Sequence, residues 1–517
     1  MAKIIFLLLM THLLYSQSIQ RLTADRFTHY RIDDWISYAA ALEITSVEID
    51  DNYIYFGSRT GGILRLNKYD GTWDFPYTTS SGLRSNTIYQ IVYNENDGFL
   101  YAQTPAGIDV YKWAEKFWQP SSKSYLPQSR YPDRTEIENF LRSDVDRYRF
   151  PPYYRPANHE LPDFFTERFF MYHLGGYVLD QHNRQFNFTD RIVDSWQRLW
   201  VGTDGFGPMK AELDHKHLES IPQSIPHISP RDLYIDDSII WIGGFRYEHS
   251  VGGITRWKRK SGEWTYFEAP FLPRIYKDDI HAIDGNEQYV LFATVLGLTL
   301  YDKNKDKWKT LDIRDGLDGN RIFDVIVEGD TAFVATEYGL NWIDLLSLEI
   351  YKPSDTVLDN VRINQLTHDG KVLWAATQFG LYAIDSFRDI ITFHSSRAVL
   401  PDYNPTAIEV INDQIWFANR YGIAYWDRDS DQWFSFPGLD FHGEIRDIAS
   451  TKNTIWFATD QGLLRYNIRR DYWRIYDERD GLISRNVFRL DPDGGHIWIS
   501  TEDGITSFRW KRTGRID

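Results

Sequence analysis

Three groups of residues in this chain carry types and spacings that could do chemistry. The stretch "DRDSDQW" sets Asp427, Asp429 and Asp431 at alternating positions, as a calcium loop begins. Such a loop also needs a glycine at its sixth position and a glutamate at its twelfth, and neither is present. The corresponding turn "DKNKDKW", 302–308, carries lysines that would repel a cation. Both stretches therefore read as polar turns. The histidines, among them His29, His173, His182, His249 and His496, fall at no metal-binding spacing. With no cysteine in the chain, thiolate metal sites and thiol catalysis are excluded. No Gly-x-Ser-x-Gly elbow or phosphate loop occurs, and the carboxylates, strewn over turns, define no acid/base pair by spacing. No metal, cofactor or catalytic residue is expected on these grounds.

The remaining group is a set of pairs inside a recurring "TxxG": Glu337-Tyr338, Gln378-Phe379 and Arg420-Tyr421. Each offers one polar group and one ring. Rings stack on sugar faces while polar neighbours hydrogen-bond hydroxyls, which is how specific sites divide the work. Arg246 and Tyr247, in the enlarged loop "RYEHS", add a similar pair. These eight residues are the candidate ligand-binding set. The competing reading is that the pairs are turn residues shielding strand ends.

What positions them is a repeat. "IWFATDQGLLRY" from Ile455 recurs as "IWFANRYGIAYW" from Ile415, "LWAATQFGLYAI" from Leu373, "AFVATEYGLNWI" from Ala332 and "IWISTEDGITSF" from Ile497. Aligned on their glycines, Gly253, Gly297, Gly339, Gly380, Gly422, Gly462 and Gly504 step by 40 to 44 residues. Weaker copies at Gly61, Gly107 and Gly205 or Gly207 bring the number to ten. A fixed period near 42 marks a repeat architecture. Each unit holds four short alternating runs separated by Gly, Asp and Asn turns, as in "VFRLD", "HIWIST" and "ITSFRW" with "YWRIYD" of the preceding unit. Four such runs make an antiparallel meander. The fold class is all-β, a β-propeller of four-stranded antiparallel blades with about ten repeats. The final unit ends after its third run, and 26–35 reads as an orphan fourth strand, so the N-terminal strand is expected to close the ring and remove its free edges.

The repeat resembles the two-component regulator propeller repeat. The resemblance rests on "LWVGTDG" (199–205) and "LWAATQFGLY" (373–382), with linkers "SGLRSN" (81–86), "DGLDGN" (315–320) and "DGLISRN" (480–486). It implies the extracytoplasmic sensor part of hybrid histidine kinases, often tied to polysaccharide sensing. This sequence runs on to no membrane helix, kinase or receiver segment, so only an extracytoplasmic recognition role carries over.

The chain's surroundings follow from its composition. A formal net charge of −16 leaves no basic footprint for nucleic acid. "MAKIIFLLLMTHLLYSQS", 1–18, has the charged start, apolar run and small-residue site of a secretory signal peptide. No later run is long enough to span a membrane. A periplasmic or extracellular protein is expected, without a lipid-modified cysteine. The period is interrupted at 121–186, where 133–148 reads as an amphipathic helix on the loop face. Since loops on a rigid scaffold carry function, that face is the expected binding face. Three readings stay open: a non-enzymatic binder of a glycan or other extracellular ligand, which is favoured; a scaffold for a cell-envelope protein partner; and a glycan-cleaving enzyme.

Overall fold

The computed structural model describes residues 18–512 apart from 24, 129–153, 168, 227–228, 246–252, 270–271, 273, 386–389, 395–399, 401–403, 437–438 and 440. The expected signal peptide and the expected helix over 133–148 lie outside the described residues. The rest is all-β and forms ten sheets, nine antiparallel ones of four strands and one of seven that includes a parallel pair. We number them 1 to 10 by the strand that leads each repeat. These strands are Ile44–Ile49, Gln90–Asn94, Gln185–Val193, Ser229–Asp236 and Ile280–Gly285, then Ile322–Glu328, Ile363–His368, Ala407–Ile411, Ile445–Thr451 and Val487–Asp493.

Sheet 9 shows how the repeat folds. Its second strand, Thr454–Thr459, is buried on both faces, so it reads as a continuous apolar run rather than an alternating one. Trp456 is fully buried and lies among Tyr476 of its own sheet and Phe508 and Trp510 of sheet 10. The "TxxG" is a turn device. Thr459 Oγ1 donates to Gly462 O at 2.6 Å and accepts from Gln461 N at 3.1 Å. Gly462 has φ +134°, and a Cβ there would meet Tyr476 O at 2.3 Å, which only glycine avoids.

The orphan strand is present, four residues long at Trp35–Tyr38 rather than over 26–35. It pairs antiparallel with the last strand of sheet 10, Trp35 opposite Phe508. Residues 26–28 form a 3-10 turn instead, capped by the Asp25 carboxylate. Trp35 decides where the strand starts: it is 2 % exposed and stacks on Phe508 at 3.8 Å.

The ten sheets do not follow one another in single file, as the constant period suggested. The leading strands of sheets 4 to 10 pack in chain order, and that of sheet 10 also lies against that of sheet 4. Sheet 1 lies between sheets 3 and 2. The period dictates the unit, whereas side chains on the leading strands select the neighbour. Asp190 of sheet 3 accepts from Val47 N at 2.7 Å, and Ser46 of sheet 1 accepts from Ile91 N at 3.1 Å.

Sheet 3 has seven strands because residues past 153 of the insertion join it. Phe165–Thr166 pairs with His217–Ser220 at one end, and Phe170–His173 with Tyr177–Asp180 at the other. Thr166 Oγ1 donates to Phe170 O at 2.7 Å, so the two ends meet. The curled sheet holds its own core of Phe164, Phe170, Tyr172, Phe186, Phe188 and Met209 among others. The segment "GGYVLDQHNRQFNFTD" supplies two strands of this sheet. Tyr154 bridges to Val193, and Arg155 Nη2 donates to Val47 O at 2.8 Å while its other terminal nitrogen meets Asp190.

Candidate functional site

The leading strands of sheets 4 to 10 repeat one local irregularity. Six of them carry a register shift just after their first residues, and the extra residue is Arg231, His281, Phe323, Asn364, Arg446 or Phe488. A bulge re-aims the side chain it inserts. Here the six lie together. Arg231 lies over Phe488 at 3.8 Å and Phe245 at 4.6 Å, and Arg446 over Phe488 at 5.0 Å. Arg362 and Arg321 both lie over Phe323, at 4.3 and 5.2 Å. His281 meets Phe245 edge-on at 5.1 Å and Phe323 at 5.8 Å. A cavity of about 170 Å³ opens between Arg231, His281, Asn364, Arg446 and Phe488.

Below the bulges, side chains tie each leading strand to the next. Asp232 accepts from Ile283 N at 2.7 Å, Asp324 from Leu366 N at 2.8 Å, Gln365 from Ile408 N at 2.8 Å and Asp447 from Leu490 N at 2.9 Å. Where that position holds Ala282 or Arg489, the residue two further on does the same: Asp284 accepts from Val327 N at 2.7 Å, and Asp491 from Ile235 N at 3.2 Å. The last of these joins sheet 10 to sheet 4. Sheet 8 departs from the rule, since Ala407 has no acceptor and Glu409 turns back to accept from Thr367 Oγ1 at 3.2 Å.

Arg489 crosses the space these strands surround. Its guanidinium pairs with Asp324 at 2.8 Å and Asp447 at 3.3 Å, and Gln365 Nε2 donates to the same Asp447 oxygen at 2.7 Å. Burial works against the Arg489 charge, but Asp324, Asp447 and Asp232 outweigh it and hold its pKa above the ordinary value. Arg489 and Gln365 line both the small cavity and a second one of about 520 Å³, which also exposes Asp284, Glu409 and Asp491. They therefore partition a cationic, aromatic mouth from an acidic chamber.

Burial pushes the Asp284 and Asp491 carboxyls up to about 7, helped by Asp324 beside the first and Asp493 beside the second. Burial, with Asp447 nearby, pushes Glu409 up to about 8. In the mouth the field has the opposite sign. Burial and the Arg321 and Arg231 guanidiniums lower His281 to about 4, so its imidazole is neutral.

The turn residues expected to bind ligand sit just outside this mouth. Glu337 N donates to Arg321 O and Gln378 N to Arg362 O, both at 3.2 Å, so the turns abut the residues leading into their own sheets. Tyr338, Phe379 and Tyr421 are each about half exposed, at 51, 54 and 50 %. Arg420 Nη2 donates to Tyr421 OH at 2.7 Å and lies over its ring. No ring contact joins the three aromatics to one another among the described residues. Arg246 and Tyr247 lie outside the described residues. Asp427 accepts from Ser430 N at 2.9 Å and Ser430 Oγ at 2.8 Å, as a polar turn does.

The mouth residues were readable only after alignment. "PRD", "IHA", "IFD", "INQ", "IRD" and "VFR" occupy one position of the period, where an apolar residue, a variable residue and usually an acid or amide follow in order.

No protein-family model and no curated protein matches the chain. Solved structures do resemble it. PorZ, a surface component of the type-IX secretion system of Porphyromonas gingivalis, superposes with a TM-score of 0.57 at 11 % identity, over 92 % of this chain and 87 % of PorZ. The extracellular domain of a putative hybrid two-component system of B. thetaiotaomicron matches over 91 % of this chain and 70 % of its own, at 15 % identity and a TM-score of 0.47. A second such domain matches over 91 and 68 %, at 17 % identity and a TM-score of 0.44. At these identities the likeness concerns the fold. Among the described residues no helix is long and apolar enough to cross a membrane.

Proposed function

We propose that the chain is an exported, non-enzymatic β-propeller that recognises an extracellular ligand, with sheets 4 to 10 closing as a seven-bladed ring. Closure is supported by the Asp491 bond to Ile235 N, which ties sheet 10 to sheet 4. The observation that carries recognition is the mouth, where six bulges converge and the "TxxG" turns stand directly outside. Strand ends held by a rigid ring let loops and bulges present ligand groups without reorganising. Binding rather than turnover is supported by the carboxylates below, since Asp232, Asp324 and Asp447 each accept from a backbone N–H and so act as fasteners.

A thermal-shift screen of the chain against oligosaccharides and cell-wall fragments tests this reading. A dose-dependent rise in melting temperature identifies the ligand class by mass action. Incubation of that ligand with the protein, followed by product analysis, should return it uncut. A flat response across the panel would reject recognition of a glycan.

A second reading, a scaffold for an envelope partner, has one observation in its favour. Phe165, Phe169, Met171 and Leu174 of the curled sheet are 55 to 73 % exposed and close in sequence. Exposed apolar clusters mark interaction surfaces. Replacing all four with serine should then abolish capture of the partner and leave the melting temperature unchanged.

A further inference from the structure

We infer that the ligand of the mouth is anionic, and that Arg321 and Arg362 are the residues that hold its carboxylate, sulfate or phosphate group. This rests on the recognition reading above and narrows it to a ligand class.

The inference begins from a mismatch of charge. The chain as a whole carries −16. Yet four arginines, Arg231, Arg321, Arg362 and Arg446, gather around Phe323 and Phe488. Two of the four have visible anchors: Arg446 pairs with Glu444 at 2.9 Å and donates to Val487 O at 3.1 Å, and Arg231 stacks between two rings. Arg321 and Arg362 differ. Both lie over the ring of Phe323, and neither forms an ion pair with any carboxylate among the described residues. Partial burial lowers Arg362, and Arg321, of the same sign, lowers it further. Two guanidiniums held near each other, without a counter-charge, repel at a cost that an arriving anion would remove.

Geometry makes them a clamp rather than a diffuse patch. Both guanidiniums rest against one ring, and a planar guanidinium offers paired N–H donors to an oxyanion. The stack reaches the cavity through Phe323, which meets His281 on the cavity wall. His281 Nε2 is buried with no hydrogen-bond partner among the described residues, an additional polar atom for a ligand to engage. The cavity volume of about 170 Å³ is below the range of about 300–1,000 Å³ that houses whole drug-sized molecules. Arg321 and Arg362 do not line it, so the charged substituent is held at Phe323 beside the cavity, with the remainder of the ligand lying outward over Glu337-Tyr338 and Gln378-Phe379.

The test is titration calorimetry of the full chain with acidic oligosaccharides bearing uronate, sulfate or phosphate, each beside its neutral counterpart, and with inorganic sulfate alone. The expected result is an acidic member binding on the order of tenfold tighter than its neutral twin, with the gap closing as salt rises. Arg321→Gln and Arg362→Gln should each remove most of that gap, and Arg362→Lys should restore part of it. Both arginines are exposed, so melting curves of the variants should match the parent and exclude misfolding. Equal binding of acidic and neutral members would overturn the anionic assignment, and a gap untouched by both glutamine variants would overturn the assignment to Arg321 and Arg362; either leaves glycan recognition standing. Failure of every acidic, neutral and inorganic probe to bind would overturn both. Which acidic member wins distinguishes carboxylate, sulfate and phosphate.

Discussion

Arg489 of sheet 10 and Asp324 of sheet 6 meet at 2.8 Å between the leading strands of their sheets. Asp447 of sheet 9 joins them at 3.3 Å, and the charge of Asp232 acts on the same guanidinium. One cation thus offsets carboxylates from three sheets. Removing it strands buried negative charge. Arg489→Met is expected to destabilise the fold by about 3–5 kcal/mol, the range for breaking a buried ion pair from one side. Adding Asp324→Asn and Asp447→Asn should recover much of that loss. Chemical denaturation midpoints of the single and triple variants check this.

The chamber below that bar makes stability depend on pH. Asp284 and Asp491, near 7, and Glu409, near 8, bind protons more tightly in the folded chain than carboxyls do in an unfolded one. Their contribution is complete below about pH 4 and is lost as pH rises through 7 and 8. His281, lowered to about 4, acts in the opposite direction, but only between pH 4 and the ordinary histidine value of 6.5. The melting temperature should therefore fall from pH 6.5 to 8.5, with a shallower fall in Glu409→Gln. An identical slope in parent and variant would contradict the buried-proton account.

The N-terminal strand should be worth more than its four residues suggest. Trp35 is nearly fully buried, stacked on Phe508 and tilted against Tyr476 at 5.9 Å. Trp35→Ala is expected to cost about 3–5 kcal/mol, as large-to-small core changes do. Deleting residues up to 38 should go further and expose the edge of Gly504–Phe508, producing concentration-dependent association visible by light scattering.

The turn pairs should affect affinity without affecting stability. Phe379 and Tyr338 are half exposed and lie outside the mouth, so alanine at either should change stability by less than about 0.5 kcal/mol. Under the outward-lying arrangement, each change weakens longer oligosaccharides and leaves the shortest binding fragment unaffected. Titration with a length series separates the two.

Much of this was legible from residues alone. The spacing of seven glycines gave the unit, alternation gave its strands, and the unpaired run near the N-terminus indicated that this end completes sheet 10, although the strand lies at Trp35–Tyr38 and not over 26–35. These are local properties: a turn needs its Thr and Gly, and a buried strand needs its apolar run, whatever lies beside them. The start of the N-terminal strand at Trp35 was not legible, because the stack on Phe508 spans nearly the whole chain. Nor was the neighbour order, with sheet 1 between sheets 3 and 2, and sheet 10 beside sheet 4. That order depends on single acceptors such as Asp190 and Asp491 meeting a backbone N–H far away in sequence. The mouth was missed for the same reason. Arg321 and Arg362 stand 41 residues apart as ordinary linker residues, and only the packing of sheets 6 and 7 brings both onto the ring of Phe323.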